Sequence, residues 1–188
     1  MADHTSQVTS EHSIYDFTRE LTPQKPIDIL LNIAGIMAPK DSDSLKNIDY
    51  QTMLSTFSVN TFGPLLLTSA LLPNLKLSAE PKIGIMSSRV GSIADNSSGG
   101  SYAYRASKTA VNSIGKNLAV ELKEENIPVV LMHPGFVVSG LDKTDSTRNN
   151  PEAVQPEEAA RKLWKVLKSK GIEETGRFWH REGMELPW

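Results

Sequence analysis

Three short apolar runs restrict what this chain can fold into: IDILLNIAG (27–35), KIGIMSS (82–88) and PVVLMHPG (128–135). Each is almost continuous in Ile, Leu, Val or Met rather than alternating with polar residues. That is the pattern of a strand buried on both faces, as in a parallel sheet. Helical periods separate them. Ile14, Phe17 and Leu21 share one face, and Pro23 is expected to end that segment. Residues 49–75 read as helix, interrupted near Gly63-Pro64 and stopped by Pro73. A further helix spans 101–122. A last one has Pro156 in its first turn, Ala160, Leu163, Trp164 and Leu167 on its apolar face, and Gly171 at its end. The closing GRFWHREGMELPW (176–188) is expected to add a short strand and a tail. Strands alternating with helices of this length give an α/β architecture, and right-handed crossovers put helices on both faces of a parallel sheet.

Composition narrows the function classes. The 188 residues suit a single domain, 1–188. A net charge of −2 with no basic block argues against a nucleic-acid partner. There is no cysteine, hence no disulfide framework or thiolate metal site. His4, His12, His133 and His180 are scattered and read as surface or loop residues, so no metal is expected. MADHTSQVTS lacks an apolar signal region, and FGPLLLTSALLP is too short to span a bilayer. The chain is expected to be soluble and cytoplasmic, with no membrane partner.

The helix at 101–122 holds a conflict. At about 100° per residue, Val111, Leu118 and Leu122 fall on one stripe, with Ile114 at its edge and Gly115 on it. Tyr104 and Lys108 project from the N-terminal end of that same stripe and are neighbours. A buried lysine is costly unless paired or solvated. A nearby ammonium favours the phenolate, so Lys108 is expected to lower the Tyr104 pKa and make it a usable proton donor. The alternative is a snorkelling lysine beside a half-buried tyrosine.

The surroundings bear on that choice. Ligands of parallel α/β sheets bind beyond the carboxyl ends of the strands. There the sequence places Asn32, Ala34 and Gly35, then Ser87-Ser88, then Pro134-Gly135. One rim therefore gathers a hydroxyl, a phenol, an ammonium and two glycine-marked turns.

These residues resemble the short-chain dehydrogenase/reductase family. The matching pieces, in family order, are NIAG (32–35), SVN (58–60), MSS (86–88), YRASK (104–108) and PGFVVS (134–139). The ending resembles the C-factor and sniffer-like carbonyl reductases. The resemblance implies a Rossmann-like sheet and reduction of a small carbonyl compound with NADP or NAD, NADP slightly preferred. It implies that Ser88 holds the carbonyl and Tyr104 donates the proton. Lys108 then lowers the tyrosine pKa and holds ribose hydroxyls, and Asn60 binds a water linking Lys108 to solvent. Asn32, Ala34 and Gly35 line the ribose, while Pro134, Gly135, Val137 and Ser139 contact the nicotinamide amide. The loop after Phe136 becomes a substrate lid. The long helices around 52–72 and 103–122 resemble those that pair in homo-oligomers. Structural alternatives stand beside these roles: Asn60 as a cap at the helix break, Ser88 as a strand-end serine, Pro134-Gly135 as a plain turn.

One family part is not legible. The first glycine is Gly35, so the N-terminal βαβ portion with its glycine-rich phosphate turn is missing from the pattern, and Gln7 stands where an acidic adenine contact is usual. Dinucleotide binding is expected to be weakened. The IDILLNI strand is expected near an open edge, covered by residues 1–8, by a partner chain or by nothing. The competing reading is a shortened, non-catalytic form that acts as a binding or assembly module.

Overall fold

The protein, described from a computed structural model, is resolved here over residues 7–21, 24–141 and 149–188. Pro23, residues 1–6 and the middle of the expected lid (142–148) lie outside the described residues. Four parallel strands, β1 (Ile29–Asn32), β2 (Lys82–Met86), β3 (Val129–His133) and β4 (Phe178–His180), form one sheet in the order β1-β2-β3-β4. Ile85 pairs with both Asn32 and Leu131, and His133 pairs with His180. Because all strands run one way, their carboxyl ends share a single rim.

The helices are α1 (Glu11–Glu20), α2 (Tyr50–Phe57), α3 (Gly63–Leu75), α4 (Tyr102–Glu121) and α5 (Pro156–Ser169). Local chemistry starts several of them. The Ser10 and Asp49 side chains accept from the Ser13 and Thr52 amides at 3.2 and 2.7 Å, capping α1 and α2. Pro156 opens α5, with Glu157 and Glu158 in its first turn and Lys168 in its last, as the helix dipole favours.

One face of the sheet packs on α1, α3 and α4 through Leu71, Leu75, Ile83, Ile85, Val111 and Ala119; the other packs on α5 through Val130, Met132, Leu163, Val166 and Leu167. Burial of each such side chain contributes about 1.5–3 kcal/mol. β1 is an end strand of the described sheet, and Leu31 (37%) and Ile33 (56%) are exposed there.

Three local expectations need correction. The break in the long helix is a π-helical turn at Ser58–Phe62, ahead of Gly63, and Pro73 sits inside α3 two residues before its end rather than stopping it. A proline this late removes one helical bond, and the turn still packs on the core through Leu71 and Leu75. On α5 the buried face is Ala159, Leu163, Val166 and Leu167, while Trp164 and Ala160 are exposed. Leu163 and Leu167 were legible from spacing. The rotation was not, because Ala160 and Trp164 satisfy the same period.

Candidate active site

The rim carries a buried polar cluster built by α4. Tyr104 is 8% exposed and Lys108 3%. The Lys108 Nζ lies 5.8 Å from the centroid of the Tyr104 ring and donates to the Met86 carbonyl, at the end of β2, at 2.9 Å. No carboxylate pairs with it among the described residues. Burial pulls its pKa down to about 8. Ser88 lines the same cavity as Tyr104 and acts on its hydroxyl, favouring the phenolate. Its neighbour Ser87 instead points at the Lys108 carbonyl at 3.4 Å. The pair therefore divides its work between site and scaffold, with Ser88 on the site side.

The expected effect of Lys108 on Tyr104 is not what this structure gives. Burial, not the ammonium, dominates and pushes the phenol above its ordinary value, with Ser88 pulling partly back. The phenol is therefore fully protonated at neutral pH.

Asn60 sits in the π-helical turn, where the extra residue turns it inward. Its Oδ1 accepts from the Ile36 amide at 2.8 Å, and its Nδ2 donates to the Ile36 carbonyl at 2.9 Å and to Ser107 Oγ at 3.0 Å. A Cβ on Gly35 would stand 3.5 Å from both Asn60 Oδ1 and Lys108 Nζ. The bare backbone thus leaves an open cradle over both polar atoms.

A cavity of about 850 Å³ opens over this cluster, and Gly35, Ser88, Tyr104 and Lys108 line it. Pro134, Gly135, Val137 and Ser139 line it as well. Gly135 turns the chain at φ 69°, a value that favours glycine. Asn32 is placed differently: it is buried and donates to Thr68 Oγ1 on α3 at 3.0 Å, so its side chain ties sheet to helix. Ala34 does not line the cavity either.

The chain belongs to the short-chain dehydrogenase family. The family model for short chain dehydrogenase matches residues 3–150. The chain is 37% identical over 163 residues to the C-signal of Myxococcus xanthus, covering 87% of this chain and 93% of that protein. It is 37% identical over 182 residues to the 1-hydroxy-2-glutathionyl-2-methyl-3-butene dehydrogenase of Rhodococcus sp. (strain AD45), covering 96% and 77%. Among solved structures it resembles the NADPH-bound carbonyl reductase from chicken fatty liver, with TM-score 0.88, 28% identity and 98% and 76% of the two chains covered. The carbonyl reductase Sniffer of D. melanogaster is similar, with TM-score 0.86, 29% identity and 97% and 76% covered. The short-chain dehydrogenase assignment makes the chain an NAD(P)-dependent oxidoreductase.

Sequence reasoning missed several residues that hold this cluster and its rim together. Arg181, 7% exposed, donates to the Pro134 and Phe136 carbonyls at 2.7 and 3.0 Å and to Glu152 at 2.9 Å, fixing the turn at Gly135. Arg105 straps the loop before α4 through the Val90 and Gly99 carbonyls and Ser98 Oγ. His133 is a correction too: it is half-buried at the end of β3 beside His180, with ring centroids 5.4 Å apart, and desolvation holds its pKa at about 3. β3–β4 pairing brings together two histidines that are far apart in sequence. None of these had a sequence signal beyond its residue type. No helix among the described residues is long and apolar enough to cross a membrane.

Proposed function

We propose that this chain reduces a small carbonyl compound to the alcohol, or runs the reverse oxidation, with NADP(H) or NAD(H). The observation that carries the reading is the buried Ser88–Tyr104–Lys108 cluster opening onto a cavity at the sheet's carboxyl rim. The open cradle above Gly35, with a buried ammonium and an amide oxygen facing it, fits the ribose and nicotinamide of such a cofactor. In that role Lys108 and the backbone at Gly35 hold the ribose side, while Pro134, Gly135, Val137 and Ser139 take the nicotinamide side. The NADPH and NADP bound in similar solved structures favour NADP.

The bound cofactor supplies a hydride. Every other requirement falls to the chain. Ser88 donates a hydrogen bond to the substrate carbonyl oxygen and orients it. Tyr104, protonated at neutral pH as any phenol is and held so by burial, gives its proton to that oxygen. The Lys108 ammonium stabilises the phenolate left behind. Asn60 Oδ1 keeps a second lone pair for a water that returns the proton.

The test is a steady-state assay with NADPH and a simple aldehyde or quinone, against Tyr104→Phe. Turnover that vanishes in the variant supports the reading. Turnover equal in both overturns it. Absence of turnover in both favours the second reading, a binding or assembly module acting through the exposed apolar end of β1 at Leu31 and Ile33. We propose self-association through the long helices, where Met53 and Leu54 on α2, Leu65 on α3 and Val120 on α4 are exposed.

A further inference from the structure

The helix that presents Tyr104 and Lys108 does not cap itself. Ser101 stands at the cap position with φ 48°, and its side chain accepts nothing from the first turn. Asp43, from the loop after β1, does so in its place. Its Oδ1 accepts from the Ala103 amide at 2.7 Å and its Oδ2 from the Tyr104 amide at 3.1 Å. Asp43 is 1% exposed, lines the same cavity, and has its own amide fixed on the Pro39 carbonyl at 2.9 Å. At its other end this loop is tied by both polar groups of Ile36 to Asn60. Residues 36–43 therefore bridge the two sides of the cluster. A carboxylate also suits the positive end of the α4 dipole.

Most N-terminal caps come from the neighbouring residue and act on the helix alone. Here both oxygens come from a distant loop, and one donor is the amide of the proton-donating residue itself. We propose that Asp43 is a positioning residue for Tyr104: its carboxylate fixes the first turn of α4 so that the phenol meets Ser88 and the cavity. The proposal rests on the role given to Tyr104 above. Asp43→Asn keeps the shape but turns an NH2 toward one of the two amides, and Asp43→Ala removes both acceptors.

The experiment has an arm that does not depend on activity and an arm that does. In the wild-type chain, hydrogen exchange at the Ala103 and Tyr104 amides is expected to be strongly protected. Exchange there as fast as at open loop amides overturns the proposal without any variant. In Asp43→Asn, protection is lost at those two amides, and the carbon-13 signal of the Tyr104 phenol titrates nearer to an ordinary tyrosine. Per folded molecule, kcat falls about ten- to a hundredfold while the NADPH Kd holds, with Asp43→Ala lower still. Lower melting temperature with unchanged kcat and unchanged Tyr104 titration makes Asp43 merely structural and overturns the proposal. If the wild-type chain has no reductase activity, the functional reading above fails, and the Asp43 proposal stands or falls on the exchange and phenol titration alone.

Discussion

The N-terminal part of α4, as far as Asn112, buries the polar Tyr104, Ser107, Lys108 and Asn112 beside Ala103 and Val111; the rest buries only Gly115 and Ala119, with Leu122 just past its end. One continuous helix thus carries two kinds of interior. Distant segments supply partners to much of the polar part: Asp43 holds the amides of residues 103 and 104, Asn60 donates to the Ser107 hydroxyl, and Thr61 donates to the Ser107 carbonyl. The Asn112 side-chain amide has no hydrogen-bond partner among the described residues. The apolar half needs only shape. Gly115 is pressed so close to Leu131 on β3 that a Cβ would stand 2.7 Å from Leu131 Cδ2. The lesson is that buried polar groups on a helix require a network assembled from the whole chain, whereas buried apolar groups require only a fitting neighbour.

Substitutions along α4 test that contrast, beginning with the largest expected effect. Tyr104→Phe should lower kcat about 10²–10⁴-fold in the NADPH-dependent assay while the melting temperature changes little, because only the hydroxyl is lost. Equal losses of turnover and folding would erase the distinction between the halves.

Lys108→Met separates function from stability. The wild-type ammonium has its folded pKa lowered to about 8 from 10.5, so the unfolded chain binds more protons between those values and wild-type stability rises with pH across that window. Below about pH 8 the full cost of the buried charge is present, up to about 3 kcal/mol. The variant should therefore match or exceed the wild type in urea unfolding at pH 7, lose that advantage by about pH 10.5, and be inactive throughout. A variant less stable at pH 7 than at pH 10, relative to wild type, contradicts the assignment.

In the apolar half, Gly115→Val overfills the contact with Leu131. A loss of about 1–3 kcal/mol in unfolding free energy is expected, with kcat per folded molecule retained. Beyond the helix, Glu125→Gln breaks the 2.8 Å pair with Lys76. Both partners are partly exposed, so denaturant unfolding should register no more than about 0.5 kcal/mol.

The chain itself specified its elements because their signals are local. Three almost continuous apolar runs wrote β1, β2 and β3, and the period of residues 101–122 put Val111 and Gly115 on the buried stripe of α4. Motif order placed Ser88, Tyr104 and Lys108 at one rim, where the structure brings them together. What tertiary structure alone decided depends on distance between segments. It rotated the face of α5 toward Val166, brought His133 against His180, and engaged Asn32 with Thr68. It made burial rather than Lys108 the dominant influence on the Tyr104 phenol, and chose Asp43 to cap α4. A sequence pattern records which side of a helix or strand is apolar; it does not record which remote polar atom will arrive to satisfy an amide, or how much water a pocket keeps. Both depend on how all the elements pack at once.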